Sequence, residues 1–379
     1  MDFALSPKHE MLRTMYQEFA EKEITPIAAD IDETCVFPLE NVKKMARLGF
    51  LGLPFPRQYG GTGADTLSYI MAVEEVSRAC ATHGVILSAH VSLCTNPIYQ
   101  FGTEEQKQKY MVPLAKGEKL GAFGLTEPNA GTDASRQQSI AILDGNEYVL
   151  NGSKIFITNG EYAETYVIFA MTDPSKGLKG ISAFILEKGT PGFSFGKKEH
   201  KLGIRASSTT ELIFQDCRIP KENLLGREGD GFKIAMQTLD AGRIGIGAQA
   251  LGIAQAALDE AIKYSKERSQ FGKPIASFQA IQWMIADMAT QVDAARLLVY
   301  RAAWLKENKK PYGKEAAMCK LYASETASFC ANKAIQVHGG YGFIKEYKVE
   351  RLIRDAKITE LYEGTSEVQR MVISGATLK

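Results

Sequence analysis

One carboxylate stands out by its setting. In LYEGTSEVQR, residues 361–370, Glu363 lies between a tyrosine and a glycine, just ahead of a helix start. Ser366-Glu367-Val368-Gln369 has the Ser-x-x-Gln spacing of a capping box, with Val368, Met371, Val372 and Ile373 as the apolar face behind it. The turn before a helix favours negative charge, because unpaired N–H groups and the helix dipole point at it. Glu363 is therefore a candidate for acid–base chemistry if its surroundings exclude water. If they do not, it is a solvated acid that helps to start the helix.

Other chemistry-bearing residues fall in a few short stretches. GAFGLTEPNAGTDAS (121–135) offers the hydroxyls of Thr126 and Thr132 and backbone N–H groups left open by Gly131. That donor set suits a flat heterocycle rich in carbonyls and ring nitrogens; an ordinary turn and strand start has the same residues. SKIFITNG (153–160) brings Phe156, on structural grounds alone a β-core residue. ERSQFGKPIASFQAIQ (267–282) carries Arg268, whose planar fork can donate twice to a phosphate and whose place at a helix end equally suits the dipole. QVHGGYGF (336–343) carries Gly340, where backbone can approach a ligand closely. Arg243 sits among small and apolar residues in DAGRIGIGAQALGIAQ (240–255), so its charge needs a partner, and Asp240 three residues earlier can supply one.

The elements that must position these residues divide into three regions. Residues 1–120 read as an α-helical N-terminal domain. Ser6-Pro7 is a cap and first helical residue, ahead of Met11, Leu12, Met15 and Phe19 at helical spacing, and Thr103-Glu-Glu-Gln106 is a capping box. PRQYGGTGADT (56–66) is a loop, after which 67–80 return to a helical pattern. In 121–225 the period shortens. Asp144-Gly145 marks a hairpin, and TYVIFAMTD, GISAFILEKG and TTELIFQDCRI are strand-like, which predicts a central β-barrel or sandwich domain. From 226 to 379 helices return. Phe278, Ile281, Ile285, Met288, Val292, Ala295, Val299 and Ala302 form a heptad seam, as in a C-terminal helix bundle. The fold class expected is α+β, multi-domain.

Composition narrows the function. The chain has 379 residues, 45% hydrophobic and 23% charged, with 45 basic against 44 acidic side chains. A net charge of +1 gives no electrostatic case for nucleic acid or an anionic membrane. The N-terminus lacks the basic and apolar regions of a signal peptide, and no apolar run is long enough for a membrane span. Six scattered cysteines without a C-x-x-C pair imply neither zinc nor a disulfide framework, so no metal site and a cytoplasmic home are expected. Gly245-Ile-Gly247-Ala-Gln-Ala250 matches a dinucleotide fingerprint by letter but lies in a helix-like stretch without a preceding strand, so close helix packing is the expected role. No P-loop and no G-x-S-x-G elbow occurs.

Taken together and in order, these stretches resemble the acyl-CoA dehydrogenases over essentially the whole chain; DAGRIGIGAQALGIAQ resembles the short-chain, butyryl-CoA type most. The resemblance implies FAD as cofactor. It puts Phe123, Leu125, Thr126, Gly131 and Thr132 at the flavin, Thr132 also near the CoA thioester arm, and Phe156 and Thr158 along the ring. Many relatives carry tryptophan in place of Phe156. Arg268, Gln270, Phe271, Gln279, Gln336 and Gly340 would hold the pyrophosphate and adenine half of a cofactor reaching in from a neighbouring subunit. Asp240 and Arg243 would lie at the acyl-CoA, Gly364 beside the base, and Thr365 and Glu367 on the cofactor side. Glu363 would be the base, removing the α-proton of a short-chain acyl-CoA. Some relatives place the base immediately before the arginine, where this chain has Gly242. The resemblance further implies a homotetramer, a dimer of dimers, that exchanges electrons with an electron-transferring flavoprotein.

Overall fold

The computed structural model describes residues 4–379. Helices α1 (Pro7–Phe19), α2 (Ala28–Thr34), α3 (Leu39–Arg47), α4 (Thr66–Ala79), α5 (Ala81–Ser88), α6 (Asn96–Phe101), α7 (Glu104–Gln106) and α8 (Val112–Ala115) come first. The two capping signals hold: Ser6 accepts from the His9 N–H, and Thr103 and Gln106 cap each other reciprocally. A π-helical stretch, Ala89–Thr95, joins α5 to α6 and is wholly buried.

Eight strands follow: β1 (Gly121–Gly124), β2 (Ile140–Asp144), β3 (Glu147–Thr158), β4 (Thr165–Met171), β5 (Ile181–Glu187), β6 (Phe193–Lys198), β7 (Thr209–Pro220) and β8 (Leu224–Leu225). They form one sheet in the order β6-β7-β3-β2-β4-β5-β8, with β1 parallel to β4. The sheet encloses its own core of Tyr148, Leu150, Tyr166, Phe184 and Phe214. The β2–β3 hairpin turns at Gly145, whose φ of 62° only glycine adopts without strain, and Asp144 pairs with Glu147 across it.

β3 is bulged twice against β7, between Leu150 and Gly152 and between Lys154 and Ile157. Strand alternation would put Phe156 on the buried face with Lys154. The second bulge breaks the alternation: Phe156 takes a left-handed φ of 59° and is 59% exposed. It is not a core residue.

The C-terminal part opens with the 37-residue helix α9 (Gly231–Glu267). A small ribbon, β9 (Ser269–Gln270) and β10 (Lys273–Pro274), leads to α10 (Gln279–Glu307), α11 (Gly313–His338), α12 (Val349–Thr359) and α13 (Ser366–Thr377). Along α10, Met288, Val292, Ala295, Val299 and Ala302 are buried as the seam predicts, whereas Ile281 and Ile285 are only half-buried and Phe278 precedes the helix. The glycines of α9 are packing residues: a Cβ on Gly247 would stand 3.3 Å from Cys319 of α11, and one on Gly252 would be 2.3 Å from the Glu74 carbonyl of α4. No helix among the described residues is long and apolar enough to cross a membrane.

α12 ties the three regions together. The Arg354 guanidinium donates to both Asp32 oxygens (2.6 and 3.2 Å), to Glu350 and to the Leu202 carbonyl. Next to it, the buried Asp355 accepts the N–H of Ile204 at 2.5 Å, with Ile204 in the left-handed region at φ 43°. Burial pushes the Asp355 carboxyl up to about 6.

Candidate active site

Glu363 lies in the turn between α12 and α13, with a left-handed φ of 51°. Left-handed backbone at a non-glycine residue costs of order 1 kcal/mol and is concentrated at functional sites. Gly364, at φ 94°, continues the turn. The cap of α13 is Thr365, whose hydroxyl accepts from the Val368 N–H, and not Ser366 as the sequence pattern suggests. Ser366 is already helical and buried, and with Val368 three residues after the cap no capping box forms. Gln369 turns back instead and donates to the carbonyls of Glu363 (3.2 Å) and Gly364 (2.8 Å).

This turn delivers the Glu363 carboxylate into the protein. Its Oε2 is buried without a hydrogen-bond partner. The space it fills is provided by Gly242 of α9: a Cβ there would stand 2.0 Å from Oε2. One residue on, Arg243 is buried and donates to Asp240 at 2.6 Å, the partner expected from its spacing, while its Nε has none. Burial raises the Glu363 carboxyl to about 8, against the opposing pull of Lys320 and Arg243. Asp240 is also raised by burial, despite Arg243.

Sequence reasoning missed several members of this site. Lys320 of α11 is fully buried, and its ammonium donates to the Gly364 carbonyl at 2.7 Å. Burial lowers it to about 8. Its signal was a lone charge among Ala316, Ala317, Cys319 and Ala323, the same signal that singled out Arg243. Tyr362 donates to the Gln249 side chain, which in turn donates to the Ala81 carbonyl, tying the turn to α9 and α5.

A second group surrounds the 121–135 loop. Phe123 and Thr126 are half-buried, Gly131 and Thr132 are exposed, and Thr158 is half-buried on β3 near the exposed Phe156. A Cβ on Gly131 would meet nothing within 4 Å. Leu125 points its side chain into the core, so only its backbone is available to a ligand. Behind the loop, and unremarked in the sequence, Lys154 is fully buried and donates to Glu127 (2.6 Å), Gln137 (2.7 Å) and the Leu125 carbonyl (3.3 Å). Glu127 also accepts N–H groups from Gln138 and Ser139. Burial lowers Lys154 to about 8, and Lys154 together with backbone N–H groups holds Glu127 below its ordinary value against burial.

A third group lines a cavity of about 620 Å³, with Arg268, Gln270, Phe271, His338, Gly340 and Tyr341 among its walls. The Arg268 guanidinium lies 5.5 Å from the Tyr341 ring centre, while Phe271 is 92% exposed at a left-handed φ of 52°. Gln279 and Gln336 are exposed nearby on α10 and α11 but do not line this cavity. Thr365 spends its hydroxyl on the cap, and Glu367 is exposed on the first turn of α13.

These residues fit an FAD. A cavity with an arginine and an open glycine suits a pyrophosphate, and outward-turned aromatics suit flat rings. The loop at Gly131 leaves room for a ring edge, and the enclosed carboxylate has an oxygen with no protein partner.

Three family models match the chain: the acyl-CoA dehydrogenase N-terminal domain at residues 6–118, the middle domain at 122–217 and the C-terminal domain at 229–378. A short-chain specific acyl-CoA dehydrogenase of Clostridium acetobutylicum is 63% identical over 375 residues, 99% of each chain. The solved butyryl-CoA dehydrogenase of Megasphaera elsdenii superposes with a TM-score of 0.99 at 55% identity, covering all of both chains. A chain solved in work on the electron transferring flavoprotein of Acidaminococcus fermentans and flavin-based electron bifurcation gives a TM-score of 0.99 at 59% identity, again over all of both chains. This chain belongs to the acyl-CoA dehydrogenase family.

Proposed function

We propose that the chain is an FAD-dependent short-chain acyl-CoA dehydrogenase that converts butyryl-CoA to the trans-2-enoyl-CoA, with Glu363 as the base. The observation that carries this reading is the half-buried Glu363, whose Oε2 is enclosed over Gly242 without a partner. A carboxyl whose pKa stands near 8 is matched to taking a proton from an acidified α-carbon at neutral to mildly alkaline pH. The α-proton moves to a Glu363 oxygen as charge develops on the thioester oxygen, and the Glu363 N–H, aimed by the left-handed turn, is assigned to that oxygen. Gly364 leaves room for the acyl chain beside the base, and Asp240, Arg243 and Thr132 are assigned to the acyl-CoA. When bound, FAD supplies the acceptor for the β-hydrogen and its electron pair.

FAD is assigned to Phe123, Leu125, Thr126, Gly131, Thr132, Phe156 and Thr158 at the flavin, and to Arg268, Gln270, Phe271, Gln279, Gln336 and Gly340 at the pyrophosphate and adenine, with Thr365 and Glu367 on the same side. The exposed edge around Phe271 supports completion of this second half by another copy, in a homotetramer. The reading includes an electron-transferring flavoprotein as redox partner, and a cytoplasmic setting that suits six free thiols. The test is the visible spectrum of purified protein before and after anaerobic butyryl-CoA. Wild-type protein should show a flavin band that bleaches, and Glu363→Gln should keep the band without bleaching. A Gln variant that bleaches at the wild-type rate would overturn the assignment of the base.

A further inference from the structure

We propose that Lys320 is a positioning residue that sets the charge state of Glu363, through a buried ammonium anchored on the carbonyl of Gly364. The inference rests on the reading of Glu363 as the base. Lys320 has no exposed surface, and its Nζ bonds a neutral carbonyl rather than a carboxylate. A buried cation on a neutral acceptor needs a counter-charge close by. Arg243 already has one in Asp240 at 2.6 Å. For Lys320 the strongest attractive charge is Glu363, one residue before the carbonyl it holds.

The other charges around the pair do not replace it. Lys320 also faces Arg243, Glu360 and Glu367, of which Glu367 is exposed and Glu360 lies within 2.6 Å of Lys357. Glu363 faces Lys320 and Arg243, and the phenols of Tyr69 and Tyr362 lie in its field. A brace for the Gly364 carbonyl alone would need only a neutral donor, and Gln369 Nε2 already supplies one at 2.8 Å. What Lys320 adds is charge.

The test is the pH dependence of flavin reduction by butyryl-CoA in the holoenzyme, together with infrared difference spectra, wild type minus Glu363→Gln, that follow the protonated Glu363 carboxyl without turnover. Removing an opposite charge that faces a buried carboxyl shifts it by about one unit. Lys320→Met and Lys320→Gln should each move both midpoints to higher pH by about that amount, equivalent to about a tenfold slower reduction below the midpoint. Lys320→Arg should hold them near wild type. Lys320→Gln keeps a hydrogen-bond donor for Gly364 without the charge, so it carries the test even if the Met variant does not fold. Midpoints in Lys320→Gln unchanged from wild type would overturn the proposal and leave Lys320 a brace. If instead Glu363→Gln reduced flavin normally, the base assignment would fall, while the infrared titration would still decide whether Lys320 governs the carboxyl.

Discussion

The carboxylate of Glu363 occupies the place that a side chain at Gly242 would need, with Oε2 standing 2.0 Å from where a Cβ would be built. Two positions 121 residues apart in sequence, 363 − 242, thus share one volume. A side chain at position 242 has no room while the Glu363 carboxylate stays where it is. Gly242 is the empty half of that arrangement.

Gly242→Ala should therefore displace the carboxylate. Displacement of a catalytic group by about 1 Å costs on the order of 100-fold in rate, and overpacking costs about 1–3 kcal/mol of stability. Stopped-flow bleaching by butyryl-CoA should slow by about that factor with the flavin band intact. An unchanged rate would show that the turn absorbs the methyl group elsewhere.

Stability should respond to Glu363 with a definite sign. Its carboxyl rises from an ordinary 4.5 to about 8 on folding, so the folded protein binds more protons across that window and loses stability as pH rises through it. Glu363→Gln removes this loss. The pull of Lys320 is already contained in that value, so the expected gain is about 1 kcal/mol or more above pH 8, with little difference below 4.5. Thermal melts of both proteins across this range would show the curves converge in acid and separate in base.

Lys154→Met should be among the most damaging changes away from the base. It leaves Glu127 charged and buried without its cation, a loss of about 3–5 kcal/mol, and it leaves the Leu125 carbonyl of the 121–135 loop to Gln137 alone. Chemical denaturation should show the loss, and FAD retention on gel filtration should fall with it. Adding Glu127→Gln should recover part of both.

Phe156→Ala separates a cofactor wall from a core residue. A side chain 59% exposed contributes little to folding, so apoprotein stability should stay within about 0.5 kcal/mol of wild type. FAD affinity should fall by about tenfold, at the upper end of an aromatic contact's worth. A large drop in apoprotein stability would return Phe156 to the core.

Local signals in the sequence carried over well. Ser6 and Thr103 cap as their spacing says, Gly145 turns the hairpin, and the buried seam of α10 runs from Met288 to Ala302, because each depends on residues within a turn or two of one another. The errors came where distant parts decide. Thr365 and Ser366 are both competent caps, and the choice is made by the left-handed turn that places Glu363. Phe156 faces outward because of a bulge against β7, some 55 residues on, which alternation cannot reveal. Lys320 and Lys154 stood in plain view, one in an alanine-rich helix and one inside a quoted motif. Their meaning comes from Gly364 and Glu127, which only the fold brings to them.

Arg354 and Asp355 make α12 answerable to all three regions, since Asp32 and the 202–204 segment hang on two consecutive residues of the helix that carries the Glu363 turn. Hydrogen exchange should find no separate opening of these regions: the amides of Ile204 and of α12 belong to one cooperative unit, released together at close to the cost of global unfolding. The protein reads as three modules along the chain, but around its carboxylate it melts as one.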